Sequence, residues 1–240
     1  MTPYEATLTS KSDVAEGTTA FFFSKPDGFL FKPGQAIDVI LPADGRDPQD
    51  ADRHAFSIVS APYQNELCIT TRMRDSAFKG ALKALPVGGR VQIDGPFGSL
   101  TLHNNVSRPA VFVAGGIGIT PFMSILRHAE HEALPHELLL VYSNRRPEDA
   151  AFLQELQALE QRHPHFRLRA TMTQMQASDL PWSGETGLMD DAMLRRALDG
   201  LSDPLVYLVG PPGMVEAMKA TLERVGVDDD DIRTEEFYGY

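Results

Sequence analysis

The chain has 240 residues, enough for one or two domains, and 42% are hydrophobic, so it can bury a core and is not disordered. Its 22 Lys and Arg against 33 Asp and Glu leave a net charge of −11, which disfavours general nucleic-acid binding and docking on an anionic membrane. Cys68 is the single cysteine, so this sequence holds no intrachain disulfide, Cys-ligated zinc or iron–sulfur cluster, and a reducing compartment is permitted. No metal site is expected.

The first residues, Met1 to Asp13, carry no apolar stretch of the kind a signal peptide needs, and a cytoplasmic location is expected. Strands are expected at Tyr4–Thr9, Thr18–Ser24, Ala36–Leu41, Ala55–Ser60, Glu66–Arg72 and Val91–Asp94. These runs are short, rich in β-branched and aromatic residues, and separated by Gly, Pro and Asp. They predict a small antiparallel barrel, interrupted by one helix at Ala77–Ala84.

After about Arg108 the period changes. Pro109 to Leu126 is uncharged and about long enough to span a bilayer, but Gly115, Gly116, Gly118 and Pro121 break it. It reads as a buried strand at Ala110–Ala114, a glycine turn, and a helix capped by Thr120 with Pro121 at its first position. No membrane span is expected. A second strand at Glu137–Tyr142 precedes a helix starting at Pro147, with Glu148 and Asp149 in its first turn. Phe152, Leu153, Leu156 and Leu159 mark its apolar face. Further strands are expected at Phe166–Thr171, Leu205–Val209 and Arg233–Phe237. Val215, Met218, Leu222 and Val225 mark the helix between the last two, and Asp228 to Asp231 reads as a solvated turn. Alternating strands and helices predict a doubly wound parallel sheet of five strands. The chain thus divides into an antiparallel barrel at 1–104 and an α/β domain at 105–240.

Three motifs carry chemistry. Gly115-Gly116-Ile117-Gly118-Ile119-Thr120-Pro121 follows a buried strand and opens a helix. Glycines let the backbone approach a pyrophosphate, and free N–H groups at a helix start hold its charge; a tight turn without ligand would use the same residues. Gly210-Pro211-Pro212-Gly213-Met214 repeats the strand–loop–helix arrangement. Two such loops at carboxyl ends of parallel strands face one crevice. The third motif, Arg53-His54-Ala55-Phe56-Ser57-Ile58, places an aromatic residue before a hydroxyl on one strand.

With Pro33-Gly34-Gln35 and Gly95-Pro96-Phe97-Gly98, these motifs in this order resemble the ferredoxin–NADP⁺ reductase superfamily over nearly the whole chain. The resemblance implies a FAD-binding barrel (FMN being the lesser alternative) and a domain for NADP or NAD. It places Phe56 beside the isoalloxazine and the Ser57 hydroxyl near flavin N5, with Ile58 following on the same strand. Arg53, Arg72, Phe78 and Lys79 fall at its flavin-phosphate positions. Thr120 resembles the residue beside the nicotinamide, with Pro121 after it, and by the same resemblance Gly210, Pro211 and Met214 would complete that pocket. Tyr240 matches the terminal tyrosine that covers the flavin; alternatively, Phe237 and Tyr238 simply close the last strand.

Two departures matter. The family pattern is Arg, one residue, aromatic, Ser or Thr; here Arg53 stands one place early and His54 holds the arginine position. Either Arg53 reaches round through a bulge or His54 takes its task. The phosphate helix reads Ser76-Ala77-Phe78-Lys79, so a lysine charge replaces the usual hydroxyl. Ser143-Asn144-Arg145-Arg146 ends the second parallel strand with arginines where an NAD site would have an acid, which favours NADPH.

The expected activity is a FAD-dependent NAD(P)H reductase passing electrons to a separate protein, ferredoxin or flavodoxin first. Arg72, Arg74, Lys79, Lys83 and Arg90 are candidates for a basic patch that would receive such an acidic carrier. Alternatives are a reductase of free flavin, the reductase component of a multi-subunit oxygenase, and a flavin- or nucleotide-binding regulatory module without turnover.

Overall fold

The computed structural model describes residues 3–42 and 53–238. Their contacts divide the chain into two units, one of residues 1–101 with 120–128 and one of 102–119 with 129–240.

The first unit holds β1 (Tyr4–Ala15), β2 (Thr18–Ser24), β3 (Ala36–Ile40), β4 (Arg53–Ser57), β5 (Glu66–Arg72) and β6 (Arg90–Phe97). They pair antiparallel in the order β4-β3-β6-β1-β2-β5. Beyond β4 the chain meets the other edge, where the Val59 N–H donates to the Cys68 carbonyl at 2.8 Å and the Cys68 N–H to Ser60 Oγ at 3.0 Å. Cys68 is therefore a buried seam residue. Phe21 and Phe23 alternate inward along β2 and meet Leu8, Ile37, Ile69 and Ile93 in the barrel core. Helix α1 (Ala77–Ala84) has the expected bounds. Ser76 caps it by accepting from the Lys79 N–H, and Phe78 and Leu82, four apart, face the core.

The second unit is built on β7 (Ala110–Gly115), β8 (Leu138–Asn144), β9 (Phe166–Met172), β10 (Glu185–Thr186), β11 (Leu205–Gly210) and β12 (Ile232–Glu236). All pairs are parallel, in the order β10-β9-β8-β7-β11-β12. The sheet has six strands rather than five, because two residues of β10 add to the β9 edge. Helix α2 (Thr120–His131), whose residues 120–128 count with the first unit, and helices α3 (Leu153–Arg162), α4 (Asp191–Leu198) and α5 (Pro212–Arg224) complete the alternation along the chain. Val111, Val113, Leu139, Val141, Val206 and Leu208 form one face of the sheet, covered by α4 and α5 through Met193, Leu194, Val215, Met218 and Leu222. Among the described residues, no helix is long and apolar enough to cross a membrane.

The structure corrects two helix starts and adds one helix. Thr120 is not a cap: a 3₁₀ turn, Gly116–Ile119, runs straight into α2, whose first residue is Thr120. Pro147–Asp149 is likewise a 3₁₀ turn, and α3 begins only at Leu153. Two features lie between the turn and the helix: the Tyr142 hydroxyl donates to the Ala151 carbonyl at 3.1 Å, and Phe152 adopts a left-handed φ of 61°. The added helix α4 was legible in its parts: Asp190 caps it by accepting from the Met193 N–H at 2.8 Å, and Gly200 follows its end.

Candidate functional site

Strand β7 sits at the centre of the parallel sheet. The chain passes from it outward through β8 and β9, then returns to its other side as β11 and β12. The strand order therefore reverses between β7 and β11, and open α/β sheets bind ligands at the carboxyl ends of such a pair. Gly115 ends β7 and Gly210 ends β11. A Cβ added to Gly210 would stand 3.5 Å from the Gly115 Cα and 2.7 Å from the Met214 sulfur. A Cβ on Gly118 would collide with the Val209 carbonyl. These glycines are thus demanded by the close passage of the 116–119 turn over β11, before any ligand is considered. Thr120 and Pro121 are buried where α2 begins, Pro211 is exposed, and Met214 is half-buried. Beyond β12, the Phe237 N–H donates to the Gly210 carbonyl at 2.9 Å, which holds Phe237 at this edge. Tyr240 lies outside the described residues.

At the end of β8, Ser143 is half-buried and the two arginines differ. Arg146 donates from Nε to the buried Asp149 carboxylate at 2.9 Å and from Nη2 at 3.2 Å. Arg145 meets that carboxylate only at 3.5 Å, and its side chain is 52% exposed against 23% for Arg146. Asp149, which the sequence reading placed merely in a helix turn, is the hub of this corner. Its three-residue spacing from Arg146 was the available signal.

In the barrel unit, β3 and β4 pair from Ala36 opposite Ser57 to Ile40 opposite Arg53 without a register shift. Among these residues no bulge brings Arg53 to the face of His54. Arg53 instead bridges Asp38 and Asp94 on the two neighbouring strands, with N–O distances of 2.5 and 2.6 Å. These two hydrogen-bonded carboxylates hold its pKa above the usual arginine value. Asp38 and Asp94 were not foreseen, since only register brings them together. His54 lies against Phe78, ring centroids 4.8 Å apart. Phe56 is buried in the barrel core, Ile58 is fully buried and Ser57 is 6% exposed. Arg72 ends β5 close to the start of α1 in sequence. There, Arg74, Ser76, Lys79 and Lys83 line a recess of about 490 Å³ with Met73 and Asp75. Burial and the nearby Arg74 charge push the Lys79 pKa down. The Gln35 side chain joins two motifs by accepting from the Lys32 N–H at 2.8 Å and donating to the Gly98 carbonyl at 3.2 Å.

Residues 112–220 match the family described as the oxidoreductase NAD-binding domain. Ferredoxin–NADP reductase B of Sorangium cellulosum is 30% identical over 227 residues, covering 90% of each chain. The chain belongs to the ferredoxin–NADP reductase family. The glycine betaine monooxygenase reductase subunit of Chromohalobacter salexigens is 29% identical over 224 residues, which span 92% of this chain but 60% of that one. A solved ferredoxin–NADP⁺ reductase of Neisseria gonorrhoeae, with bound FAD and NADP, shares the fold at a TM-score of 0.82 and 23% identity, covering 98% of both chains.

Two places in this family member suit the groups that the resemblance implies. The recess at α1 offers lysine and arginine charge plus a capped helix start to a pyrophosphate. The carboxyl edge of the sheet offers backbone at the half-buried Gly116 and, just after β8, a cation at the exposed Arg145. Both donor sets fit anionic dinucleotides.

Proposed function

We propose that the chain is a FAD-dependent NAD(P)H reductase, with NADPH favoured, that passes electrons to a separate protein acceptor. The observation that carries this reading is the strand-order reversal at β7 and β11, with the two glycine loops placed on it. The bound flavin would supply a hydride acceptor and one-electron release, chemistry that no protein side chain provides. The chain's own residues bind and orient. Lys79, Arg74 and the first amides of α1 neutralise the flavin pyrophosphate, with Arg72 and Phe78 beside them, while His54 lies against Phe78 and takes the place the family gives to arginine. Ser57 would offer its hydroxyl near flavin N5, and Phe56, on the same strand, would pack beside the isoalloxazine. Gly115, Gly116, Gly118, Thr120, Pro121, Gly210, Pro211 and Met214 form the nicotinamide side, and Ser143, Arg145 and Arg146 the adenosine side. Tyr240 is assigned to covering the flavin.

The acceptor is proposed as ferredoxin or flavodoxin. The reading as an oxygenase's reductase component is supported by relatives bearing that name, including the propane 2-monooxygenase reductase of Rhodococcus jostii at 31% identity. The chain spans 60% and 57% of those two relatives. The test is anaerobic: purify the chain, record the flavin spectrum, and add NADPH and NADH separately. Bleaching of bound flavin is expected, faster with NADPH; no bleaching by either overturns the reductase reading. Reduction of added ferredoxin, flavodoxin or an oxygenase component then separates the acceptors.

A further inference from the structure

Beyond the ends of β8 and β9, two connections continue as one hydrogen-bonded corner. The Thr173 N–H donates to the Asn144 carbonyl at 2.9 Å and the Gln174 N–H to the Arg145 carbonyl at 2.8 Å. Arg146 Nη1 reaches the Ala177 carbonyl at 3.4 Å. Glu148 then closes the corner. Its carboxylate accepts from Ser178 Oγ at 2.8 Å, from the Asp179 N–H at 2.9 Å and from the Leu180 N–H at 3.3 Å. Hydrogen bonds to its backbone and to these donors hold the Glu148 carboxyl below the usual carboxylate range.

Glu148 stands four residues beyond the end of β8, the region where an acid would read the ribose hydroxyls of NAD. Yet its acceptor capacity is directed at its own chain. Arg146 is similarly committed, to Asp149 and Ala177. Of the two arginines at this corner, Arg145 has the more exposed side chain and only the longer contact to Asp149.

We propose that Glu148 is a positioning residue: by clamping residues 178–180 it fixes the corner and presents Arg145 as the cation that selects a 2′-phosphate. This rests on the nicotinamide reading above and deepens it. A carboxylate satisfied by a hydroxyl and two amides contributes structure while its charge is dispersed over three donors, so an incoming phosphate meets less repulsion. Arg145 remains able to exchange its long contact for a bidentate phosphate pair.

The test uses the full chain and two probes, 2′,5′-ADP and 5′-AMP, titrated calorimetrically, together with amide exchange. Wild type is expected to bind 2′,5′-ADP at least tenfold tighter than 5′-AMP. Arg145→Ala should abolish that preference. Glu148→Ala should erase most of it while accelerating exchange at Asp179 and Leu180, and Glu148→Gln, which keeps an accepting oxygen, should restore part. In the double variant the two losses should not add, because an unpresented Arg145 has nothing left to lose. Ser178→Ala, a milder change, guards against misfolding of Glu148→Ala and should reduce the preference about threefold. Unchanged preference in Glu148→Ala and Ser178→Ala, or fully additive losses, overturns the clamp. Failure of wild type to bind either probe removes the nicotinamide reading as well, and is distinguished because it appears before any substitution.

Discussion

The Met214 sulfur fills the space that a side chain on Gly115 would need. One residue thus stoppers the end of β7 from the first turn of α5. A second close approach, Gly118 against the Val209 carbonyl, is made by backbone. The two approaches differ in what can yield: a thioether has three rotatable bonds, whereas a strand carbonyl fixed in a ladder has none to spare.

That difference predicts a contrast between two alanine variants. Gly115→Ala should lose roughly 1–3 kcal/mol, the usual range for overpacking, and Met214→Ala should restore much of it. Gly118→Ala should be the more damaging, and no change at Met214 should rescue it. Urea denaturation of wild type, the three single variants and the two double variants measures this. Rescue of Gly118→Ala by Met214→Ala would show that the 116–119 turn is set by the methionine instead of by β11.

The barrel unit predicts unequal roles for its two leading cations. Arg53 bridges two aspartates, while Lys79 lies in the recess at the start of α1 with Arg74. Lys79→Met should weaken flavin retention about tenfold or more, the scale of one lost charge-assisted contact of roughly 1.5–3 kcal/mol. Arg53→Met should leave retention within about threefold. Ultrafiltration of the flavin-loaded variants, read by flavin absorbance, gives both values. A larger loss for Arg53→Met would mean that Arg53 leaves its aspartates for the pyrophosphate.

These contrasts show where the sequence was legible. Runs of β-branched and aromatic residues bounded by turn residues made β2 and β5 readable to the residue, and Ser76 with the Phe78 and Leu82 pair did the same for α1. The glycine loops were readable because strand, turn and helix signals follow each other directly. What escaped was set by partners distant in the chain. The Arg53 bridge needs the register of three strands, and just before α3 the Tyr142 hydroxyl meets the Ala151 carbonyl. Even the two arginines after β8, adjacent in sequence, acquire different roles only through Asp149 and the Ala177 carbonyl.

Two histidines, the buried His163 and the half-buried His103, predict an acid limb to the stability of the second unit. Burial first, then the neighbouring His136 and Arg233, pushes the His103 pKa below 6.5, and burial with His165 does the same for His163. Geometry agrees at His163, whose Nδ1 accepts from the His165 N–H at 3.2 Å and must be unprotonated to do so. The folded state therefore binds fewer protons than the unfolded one once the pH falls to the ordinary histidine value. Stability is full above about 6.5 and is lost as pH falls from there through the lower folded values. Denaturation midpoints at pH 7.5 and 5.5 should differ, and His163→Gln and His103→Gln should each narrow the gap. An unchanged gap in both variants would assign the acid limb to other groups.

Glu235 predicts the opposite sign at the carboxyl edge. It pairs opposite Val209 on β12, one position before the partner of Gly210, and burial pushes its pKa up. Its folded form prefers to be neutral, so between the ordinary glutamate value and the higher folded one the unfolded chain binds fewer protons. Stability from this group is full below about 4.5 and falls as pH rises through the folded value. Glu235→Gln should therefore raise the denaturation midpoint at pH 7 and leave it unchanged at pH 4. Its neighbour Glu236 supplies the control: it is exposed and accepts from the Tyr238 hydroxyl, so Glu236→Gln should bring no gain at either pH. Equal responses of the two variants would trace the effect to the net charge of −11 instead of to burial at Glu235. A gain confined to Glu235 would locate an unfavourable carboxylate beside the glycine loops, where strongly perturbed groups concentrate when a site uses them.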